Sequence, residues 1–351
     1  MPSANSVITD YYSLTPTEQN TVKSELLSPS FSRTMDVKQY VEKSRFSDGR
    51  VCPICGCNHV KRNGTRKSKT SSVKVQRYLC LECGKSFVIT ANSIAAGTRK
   101  GLDVWEKFID CMMNGFSIRK TAMFCGIHKN TAFYWRHKVL DALQHMMEAV
   151  KMKGIIEADE TFFDISYKGN HKKSTTFVMP RSSHHRGKSV KKRGLSNEKV
   201  CVPCAVNRDG LSLAKVANLA RVKIDGLKGV FDGKMESGSV MITDKASAYR
   251  KFSKDNGLKL YALKSGYASC KGLYHLQNIN SYHSRLKSFI GNFKGVSTKY
   301  LNNYLVWHNF LNYSKEDYFE KKRILLEYVF SIPHTIVCRD LPVRESLPLV
   351  A

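Results

Sequence analysis

Two Cys-x-x-Cys pairs constrain the fold of this chain more than any other feature. Cys52 and Cys55 form the first pair, and Cys80 and Cys83 form the second after 24 intervening residues. A glycine follows each pair, and glycine tolerates the tight turn that wraps a metal ion. Four thiolates at this spacing bind zinc as a tetrahedron. Because the second pair also joins two short strand-like runs, we predict a zinc ribbon over residues 46–92 rather than four reduced structural cysteines.

The other cysteines carry less information about metal binding. Cys57 and His59 lie close enough to be alternative ligands, although the two pairs make them unnecessary. Cys201 and Cys204 form a further Cys-x-x-Cys inside a predicted strand, without a partner pair. Buried small apolar residues explain that pair better than a second metal site.

The charge of the chain indicates a polyanionic partner. Among 351 residues, Lys and Arg total 57 against 29 Asp and Glu, a formal excess of +28 that is spread over most of the chain. Nucleic acid is the polyanion that such a protein most often binds. We see no long amphipathic basic helix, no run of eighteen apolar residues and no signal peptide, so we expect a cytoplasmic protein with no membrane partner.

Residues 100–150 have the pattern of a helix-turn-helix. The stretch FSIRKTAMFCGIHKNTAFYWRHKVL reads as two helices joined by a turn at Gly126. In such a unit the start of the second helix contacts base edges, and flanking basic residues contact phosphates. The expected contacts are Lys129, Asn130, Thr131 and Arg136. A plain three-helix packing unit with solvated basic residues is the alternative.

From residue 154 the pattern changes to strands followed by helices. GIIEADETFFDIS reads as a strand, and a hairpin turning at Asp209 and Gly210 follows it. A strand that enters a helix, another strand and further helices complete a mixed α/β order. We therefore predict an α/β domain over residues 154–315. This domain contains a basic insertion at 168–199. Outside it we expect a polar leader at 1–45 and a C-terminal helix and tail at 316–351.

Two aspartates of this domain are candidate metal ligands. Asp159 lies in EADET on a core strand, where alternation puts Glu157 and Thr161 on its face and Glu160 on the other. Asp244 follows SVMIT at the end of a strand, where it could equally cap the next helix. Two aspartates on adjacent strands can hold two divalent ions for phosphoryl transfer, and Mg²⁺ suits such ligands.

The stretch HLQNINSYHSRLK supplies the other candidates. If it is helical, Asn280, His283 and Lys287 share one face, which carries no carboxylate. Asn280 offers a neutral carbonyl oxygen as a third ligand, and Lys287 could contact a phosphate near the metals. His283 either touches a phosphate or packs. An ordinary solvated helix face is the alternative.

Together these motifs resemble the DDE-type bacterial insertion-sequence transposases, and more narrowly their ISXO-like branch with an N-terminal zinc ribbon. CPIC, CLEC, the helix-turn-helix, EADET, TDKASAY and NINSYHSRLKSFIGNFKGVSTKYLNNYLVWHNF carry the resemblance, which covers about residues 46–315. It implies a ribonuclease-H-like mixed-sheet core. The catalytic positions implied are Asp159, Asp244, Asn280 and Lys287. Many members have Glu at the third position, and this chain fits an Asn variant followed by Lys.

The resemblance also implies an activity and its partners. It predicts a bacterial, nucleoid-associated enzyme that binds the terminal inverted repeats of an insertion sequence and uses Mg²⁺ or Mn²⁺ to cleave 3′ ends. The freed ends would then be joined to target DNA by a homodimer or a larger synaptic complex. We expect the basic insertion either to contact DNA backbone or to remain a solvated loop. Its expected contacts include Lys172, Lys173, Lys191, Lys192 and Arg193.

Two other functions fit the same residues. Asn280 in place of an acid supports a DNA-binding regulator that has lost catalysis. A metal-dependent nuclease would cleave DNA without joining it.

Overall fold

The computed structural model describes residues 10–11, 13–19, 37–47, 49–68, 71–169, 198–244, 247–263, 269–270, 272–313, 317–331, 338, 340–342 and 344. The chain divides into two compact units. Unit 1 comprises residues 1–132 and 317–333, and unit 2 comprises residues 133–316 and 334–351. None of the described helices is long and apolar enough to cross a bilayer.

Unit 1 combines a small antiparallel sheet with helices. Its sheet has the order β1-β2-β3, and Tyr78 on β2 stacks on Phe87 of β3 in the sheet's small core. Its elements are α1 (Val37–Arg45), β1 (Val60–Ser68), β2 (Ser71–Cys80), β3 (Ser86–Val88), α2 (Leu102–Met113), α3 (Ile118–Phe124), the first turn of α4 (Lys129–Glu148) and α9 (Tyr318–Ser331).

The helical part of unit 1 contains the expected helix, turn and helix. The Ser117 hydroxyl accepts the Lys120 backbone N–H and so caps the start of α3. After α3, Gly126 adopts a φ of +57°, which costs glycine little and ends the helix before α4 begins at Lys129. Local sequence signals therefore determine both ends of the turn.

A buried ion-pair network joins α2 to α9 within unit 1. The Lys322 side chain is fully buried, and its Nζ lies 2.8 Å from Asp110 Oδ1 and 2.9 Å from Glu106 Oε1. Burial raises the pKa of Asp110, and the Lys322 ammonium opposes that rise. The ammonium therefore compensates a carboxylate that the helix packing removes from water.

Replacing this lysine should destabilise unit 1 strongly. Lys322→Ala leaves the Asp110 carboxylate buried without its cation, and we expect it to lower the free energy of unfolding by about 3–5 kcal/mol. Lys107→Ala on the exposed side of α2 is the control, with an expected change of at most about 0.5 kcal/mol. Urea denaturation of both variants measures the difference. Equal stability of the two variants would contradict a compensating role.

Unit 2 is built on a mixed sheet with the strand order β6-β5-β4-β8-β9. The described elements are the rest of α4, β4 (Ile155–Asp164), β5 (Lys199–Asn207), β6 (Ser212–Ala214), β7 (Asn218–Leu219), α5 (Ile224–Phe231), β8 (Val240–Asp244), α6 (Ser247–Asp255), β9 (Lys259–Leu263), β10 (Ser269–Cys270), β11 (Tyr274–His275), α7 (Gln277–Gly291), a 3₁₀ turn (Thr298–Tyr300) and α8 (Leu301–Tyr313).

The direction of each strand defines the fold of this sheet. β5 pairs antiparallel with both β4 and β6, whereas β8 pairs parallel with β4 and β9 pairs parallel with β8. A sixth strand, β7, also pairs antiparallel with β5. Numbered by their place in the chain, the other five strands lie in the order 3-2-1-4-5, with only the second antiparallel to the rest. This is the ribonuclease-H-like arrangement, so the predicted fold class is confirmed.

Helices cover both faces of the sheet. One apolar cluster joins Ile156 and Ala158 of β4 to Tyr249 and Phe252 of α6. A second cluster includes Val202 and Cys204 of β5 and the buried side of α7. Cys201 and Cys204 are thus buried apolar residues, as the sequence indicated. Alternate residues of β4 consequently face α6 or α7.

The C-terminal tail is anchored on unit 2. Arg344 donates two hydrogen bonds to the Asp141 carboxylate on α4, at 3.0 and 2.6 Å. Tyr300 donates its hydroxyl to the Leu341 carbonyl, and Lys299 donates to the Pro342 carbonyl. The tail segment around residue 341 is therefore part of the packed unit.

Candidate active site and zinc centre

Two turns of the small sheet bring four cysteine thiols together. Cys52 Sγ lies 3.8 Å from Cys83 Sγ, and Cys55 Sγ lies 3.6 Å from Cys80 Sγ. Each turn directs a backbone N–H at a sulfur: Ile54 donates to Cys52 Sγ, and Cys83 donates to Cys80 Sγ. Zinc–sulfur bonds of about 2.3 Å in a tetrahedron require sulfur separations of about 3.8 Å. The four thiols therefore fit one zinc ion. Within the described part of the chain, Cys52, Cys55, Cys80 and Cys83 form a group that could hold a metal ion.

A fifth thiol lies next to this group. Cys57 Sγ is 3.1 Å from Cys80 Sγ, and the Cys57 carbonyl accepts the Cys52 N–H at 2.8 Å. A tetrahedral zinc ion has no position for a fifth sulfur ligand. Cys57 therefore belongs to the turn that shapes the site.

The two predicted aspartates lie on neighbouring parallel strands. β4 and β8 pair with Ile155 beside Val240 and Glu157 beside Ile242. The same register, continued by two residues, places Asp159 beside Asp244. Burial first, and then the Asp244 charge, raise the pKa of Asp159 to about 6. The two carboxylates are therefore close enough to repel each other.

Helix α7 carries the remaining candidates, and His283 and Lys287 interact with Asp159. His283 is 8% exposed, and its Nδ1 lies 3.9 Å from Asp159 Oδ2. Burial and the Lys287 charge lower the pKa of His283 to about 4, so its ring is neutral at physiological pH. The Lys287 ammonium also opposes the rise in the pKa of Asp159. Asn280 is exposed on the same helix, one turn before His283.

The carboxylate of Glu160 lies on the opposite face of β4. Burial, followed by the charges of Asp159 and Asp244, raises the pKa of Glu160 to about 8. Its Oε1 is buried and has no hydrogen-bond partner among the described residues. Three carboxyl groups thus crowd the end of this sheet.

This donor set fits a divalent cation. Asp159 and Asp244 supply the carboxylate oxygens that Mg²⁺ and Mn²⁺ prefer, and Asn280 could add a neutral carbonyl oxygen. The Asp244 charge contributes to the raised pKa of both Asp159 and Glu160, and the same negative potential would also attract a cation. Asp159, Asp244 and Asn280 are the residues that would hold it.

The predicted DNA contacts fall into three groups. Lys129 and Asn130 are exposed in the first turn of α4, and Thr131 is half-buried there. Arg136 differs from the expectation, because it is 4% exposed and its guanidinium lies over the Phe293 ring at 5.9 Å. The helix turns this arginine into the core of unit 2, which leaves it no surface for a phosphate. The residues of the basic insertion lie outside the described residues: Lys172, Lys173, Lys191, Lys192 and Arg193.

Sequence reasoning placed Glu157 on the face of Asp159 but assigned it no function. In the structure Glu157 is 1% exposed and binds the start of α7. The signal was the alternation of EADET, which puts both carboxylates on one face of β4. Its partner Arg208 was not singled out, because the hairpin that carries it gives no chemical signal in the sequence.

The strand order and the paired aspartates define unit 2 as a ribonuclease-H-like domain. Residues 151–310 match the family model of the ISXO2-like transposase domain. The chain is also 30% identical over 107 residues to the "Insertion element ISM1 uncharacterized 48.3 kDa protein" of Methanobrevibacter smithii. That match covers 28% of this chain and 27% of the relative, so the chain spans about a quarter of the relative's length. The predicted resemblance to insertion-sequence transposases is confirmed.

Solved transposase complexes show a weaker likeness. A pre-cleavage Mos1 transpososome is 7% identical, with a TM-score of 0.21 over 65% of this chain and 78% of that chain. The Mos1 strand transfer complex is 9% identical, with a TM-score of 0.24 over 67% of this chain and 74% of that chain. These scores are low, and the assignment of the fold rests on the strand order alone.

Proposed function

We propose that this protein is a DNA transposase that cleaves the 3′ ends of an insertion sequence and joins them to target DNA. One observation carries the proposal: the register of β4 and β8, continued by two residues, puts Asp159 beside Asp244 on adjacent parallel strands of a ribonuclease-H-like sheet, and helix α7 carries Asn280 and Lys287. The match of residues 151–310 to a transposase domain family supports it. We further propose that it acts on terminal inverted repeats in the bacterial cytoplasm, as a homodimer or a larger synaptic complex.

Each residue of the site has a role in this proposal. Asp159 and Asp244 would hold the divalent ions, and Asn280 would add a neutral ligand. His283 would orient the Asp159 carboxylate, and Lys287 would bind a phosphate of the DNA. Bound ions would supply the charge that activates water or a 3′-hydroxyl and stabilises the leaving oxygen.

Unit 1 would select the DNA in this proposal. The zinc ribbon, the exposed residues Lys129 and Asn130 and the half-buried Thr131 would contact the terminal repeats. The basic insertion would contact flanking or target backbone. The formal charge of +28 supports binding to a polyanion. Several phosphate contacts would make the affinity fall steeply with salt.

Strand-end cleavage and joining with Mg²⁺ or Mn²⁺ test the proposal. The substrate is a labelled duplex carrying the inverted repeats that bracket the gene, supplied together with plasmid as target. We expect nicks with free 3′-hydroxyls and joined products from the wild-type protein. Nicks without joined products would favour the metal-dependent nuclease.

Asn280 favours a second candidate, because a neutral third ligand leaves the metal site with less negative charge. In that case the protein is a regulator that binds the repeats without cutting them. Salt-sensitive binding of the repeats together with no metal-dependent product from the wild-type protein would support the regulator and contradict the transposase.

A further inference from the structure

We propose that Glu157 is a positioning residue that anchors the first turn of α7 on β4 and so sets Asn280 and Lys287 against Asp159. The inference rests on the proposed function. It adds to that function a residue that holds the third side of the site without touching metal or DNA.

Helix α7 begins with only a weak local cap, in which His275 Nδ1 accepts the N–H of Gln277 at 3.3 Å. Its N-cap residue is Leu276, whose side chain makes no capping hydrogen bond, and its first turn contains no acidic residue. The first backbone N–H groups of a helix have no partner within the helix. Glu157 supplies one from a distant element, because its Oε2 accepts the N–H of Asn278 at 2.9 Å and that of Ile279 at 3.0 Å.

The second oxygen of Glu157 is bound as well. Glu157 Oε1 accepts a hydrogen bond from Asn278 Nδ2 at 2.6 Å and lies 3.0 Å from Arg208 Nη2. Arg208 also donates to the carbonyl of Leu273, which lies just before β11. One carboxylate therefore connects β4, the β5–β6 hairpin and the start of α7.

Stability alone does not require this arrangement. A serine or aspartate at the N-cap would satisfy the same N–H groups at the surface, where solvation of the side chain is retained. Burying the Glu157 carboxylate is costly, and the three hydrogen bonds and the guanidinium offset that cost. The buried Glu157 carboxylate instead fixes the start of α7 to one position on β4.

The attachment point is next to the proposed metal site. Glu157 and Asp159 are two residues apart on the same face of β4, which corresponds to about 7 Å along the strand. Asn280 follows Ile279 directly, and Lys287 lies seven residues further, about 10 Å along the helix axis. A single strand therefore carries one aspartate of the site and also determines where the helix places Asn280 and Lys287.

The test compares Glu157→Gln with Asp141→Asn in the full-length protein. Gln offers only one acceptor oxygen and turns an NH₂ group towards N–H donors. Asp141 is also buried in unit 2, where it pairs with Arg344 and Asn303, but it does not touch α7. Asp141→Asn therefore reports the effect of losing a buried acid elsewhere in the same unit.

We expect Glu157→Gln to raise the Mn²⁺ concentration at half-saturation about tenfold or more, as loss of an outer partner of a metal ligand does. Mn²⁺ binding is measured by electron paramagnetic resonance on the DNA-free protein. The rate of cleavage at saturating DNA should fall about 100-fold, with the KM for DNA changed less than about threefold. Asp141→Asn should lower the Tm and leave the Mn²⁺ half-saturation and the cleavage rate at wild-type values.

Equal Mn²⁺ half-saturation and equal cleavage rates in the two variants would overturn the proposal. If Glu157→Gln does not fold, Asn278→Ala is used in its place. This change removes only the hydrogen bond from Asn278 Nδ2 to Glu157 Oε1 and keeps the two backbone N–H bonds to Oε2. An intermediate shift of about threefold in Mn²⁺ half-saturation is then expected, and no shift contradicts the positioning role.

Amide hydrogen exchange separates this inference from the proposed function, because it needs neither metal nor DNA. Protection of the Asn278 and Ile279 amides should be lost in the Glu157 variant and kept in Asp141→Asn. Protection kept in both variants overturns the anchoring even if the wild-type protein is an active transposase. If protection is lost only in the Glu157 variant and the wild-type protein never cleaves DNA, the anchoring by Glu157 is supported and the proposed transposase function is contradicted.

Discussion

Asp159→Asn should abolish metal-dependent cleavage and, in metal-free buffer at pH 8, make the protein more stable. The variant keeps the size of the side chain but removes the charge that would hold the divalent ions. We expect the cleavage rate to fall by at least about 10³-fold, because the proposed reaction depends on those ions. Gel assays of end cleavage with Mg²⁺ or Mn²⁺ measure the first effect, and a thermal melt of the same protein in metal-free buffer measures the second.

The expected gain in stability follows from the pKa of this carboxyl group. Burial and the Asp244 charge raise the pKa of Asp159 from 3.8 to about 6, so the folded protein binds this proton more tightly than the unfolded chain does. The group therefore destabilises the fold above about pH 6, and the penalty disappears as the pH falls towards 4. At 1.36 kcal/mol per pKa unit, removing the charge should raise the free energy of unfolding by about 1–3 kcal/mol at pH 8.

Asp164→Asn is the matched control for this experiment. Asp164 ends the same strand, where it is exposed and pairs with Lys199 at the surface. We expect the control to cleave at the wild-type rate with stability changed by less than about 1 kcal/mol. Wild-type cleavage by Asp159→Asn would remove this residue from the catalytic site. A variant less stable than wild type at pH 8 would refute the destabilising charge.

Cys80→Ser should remove bound zinc and unfold the small sheet of unit 1, whereas Cys57→Ser should retain one zinc ion per chain. Zinc binding by four thiolates contributes about 10–16 kcal/mol to the folding of small zinc domains. Only four sulfurs fit around the ion, and the two Cys-x-x-Cys turns present them. Elemental analysis gives the metal content, and limited proteolysis near residues 60–80 reports folding of the sheet.

A chelator should act on the wild-type protein as Cys80→Ser does. If Cys80→Ser retains zinc and Cys57→Ser loses it, the fourth zinc ligand is Cys57 and not Cys80. Their sulfurs lie only 3.1 Å apart, so the comparison is a direct one.

Local signals in the sequence were sufficient for much of this fold. The spacing of Cys52, Cys55, Cys80 and Cys83 predicts the ribbon, because chain length between ligands limits the geometry of a metal site. The Asp209-Gly210 turn predicts the β5–β6 hairpin, and Gly210 adopts a φ of +89° there. Alternation along EADET separates the two faces of β4. In each case residues close in sequence determine the geometry.

Contacts between distant residues were beyond such reasoning. Arg136 reads as an exposed basic residue on a DNA-binding helix, but it is buried and its guanidinium lies over the ring of Phe293, more than 150 residues away. Glu157 binds Asn278 and Ile279, which no local pattern connects to it. The partner of a buried charge is determined by packing, and a single sequence carries no record of that packing.

The anchored tail has a practical consequence for anyone expressing this protein. A chain shortened before Arg344 would leave the Asp141 carboxylate in the core of unit 2 without its guanidinium partner. The 3₁₀ turn would also lose the hydrogen bonds that Tyr300 and Lys299 donate to the carbonyls of Leu341 and Pro342. A purification handle should therefore not replace residues 341–344, and a chain shortened before them would be a target for cellular proteases.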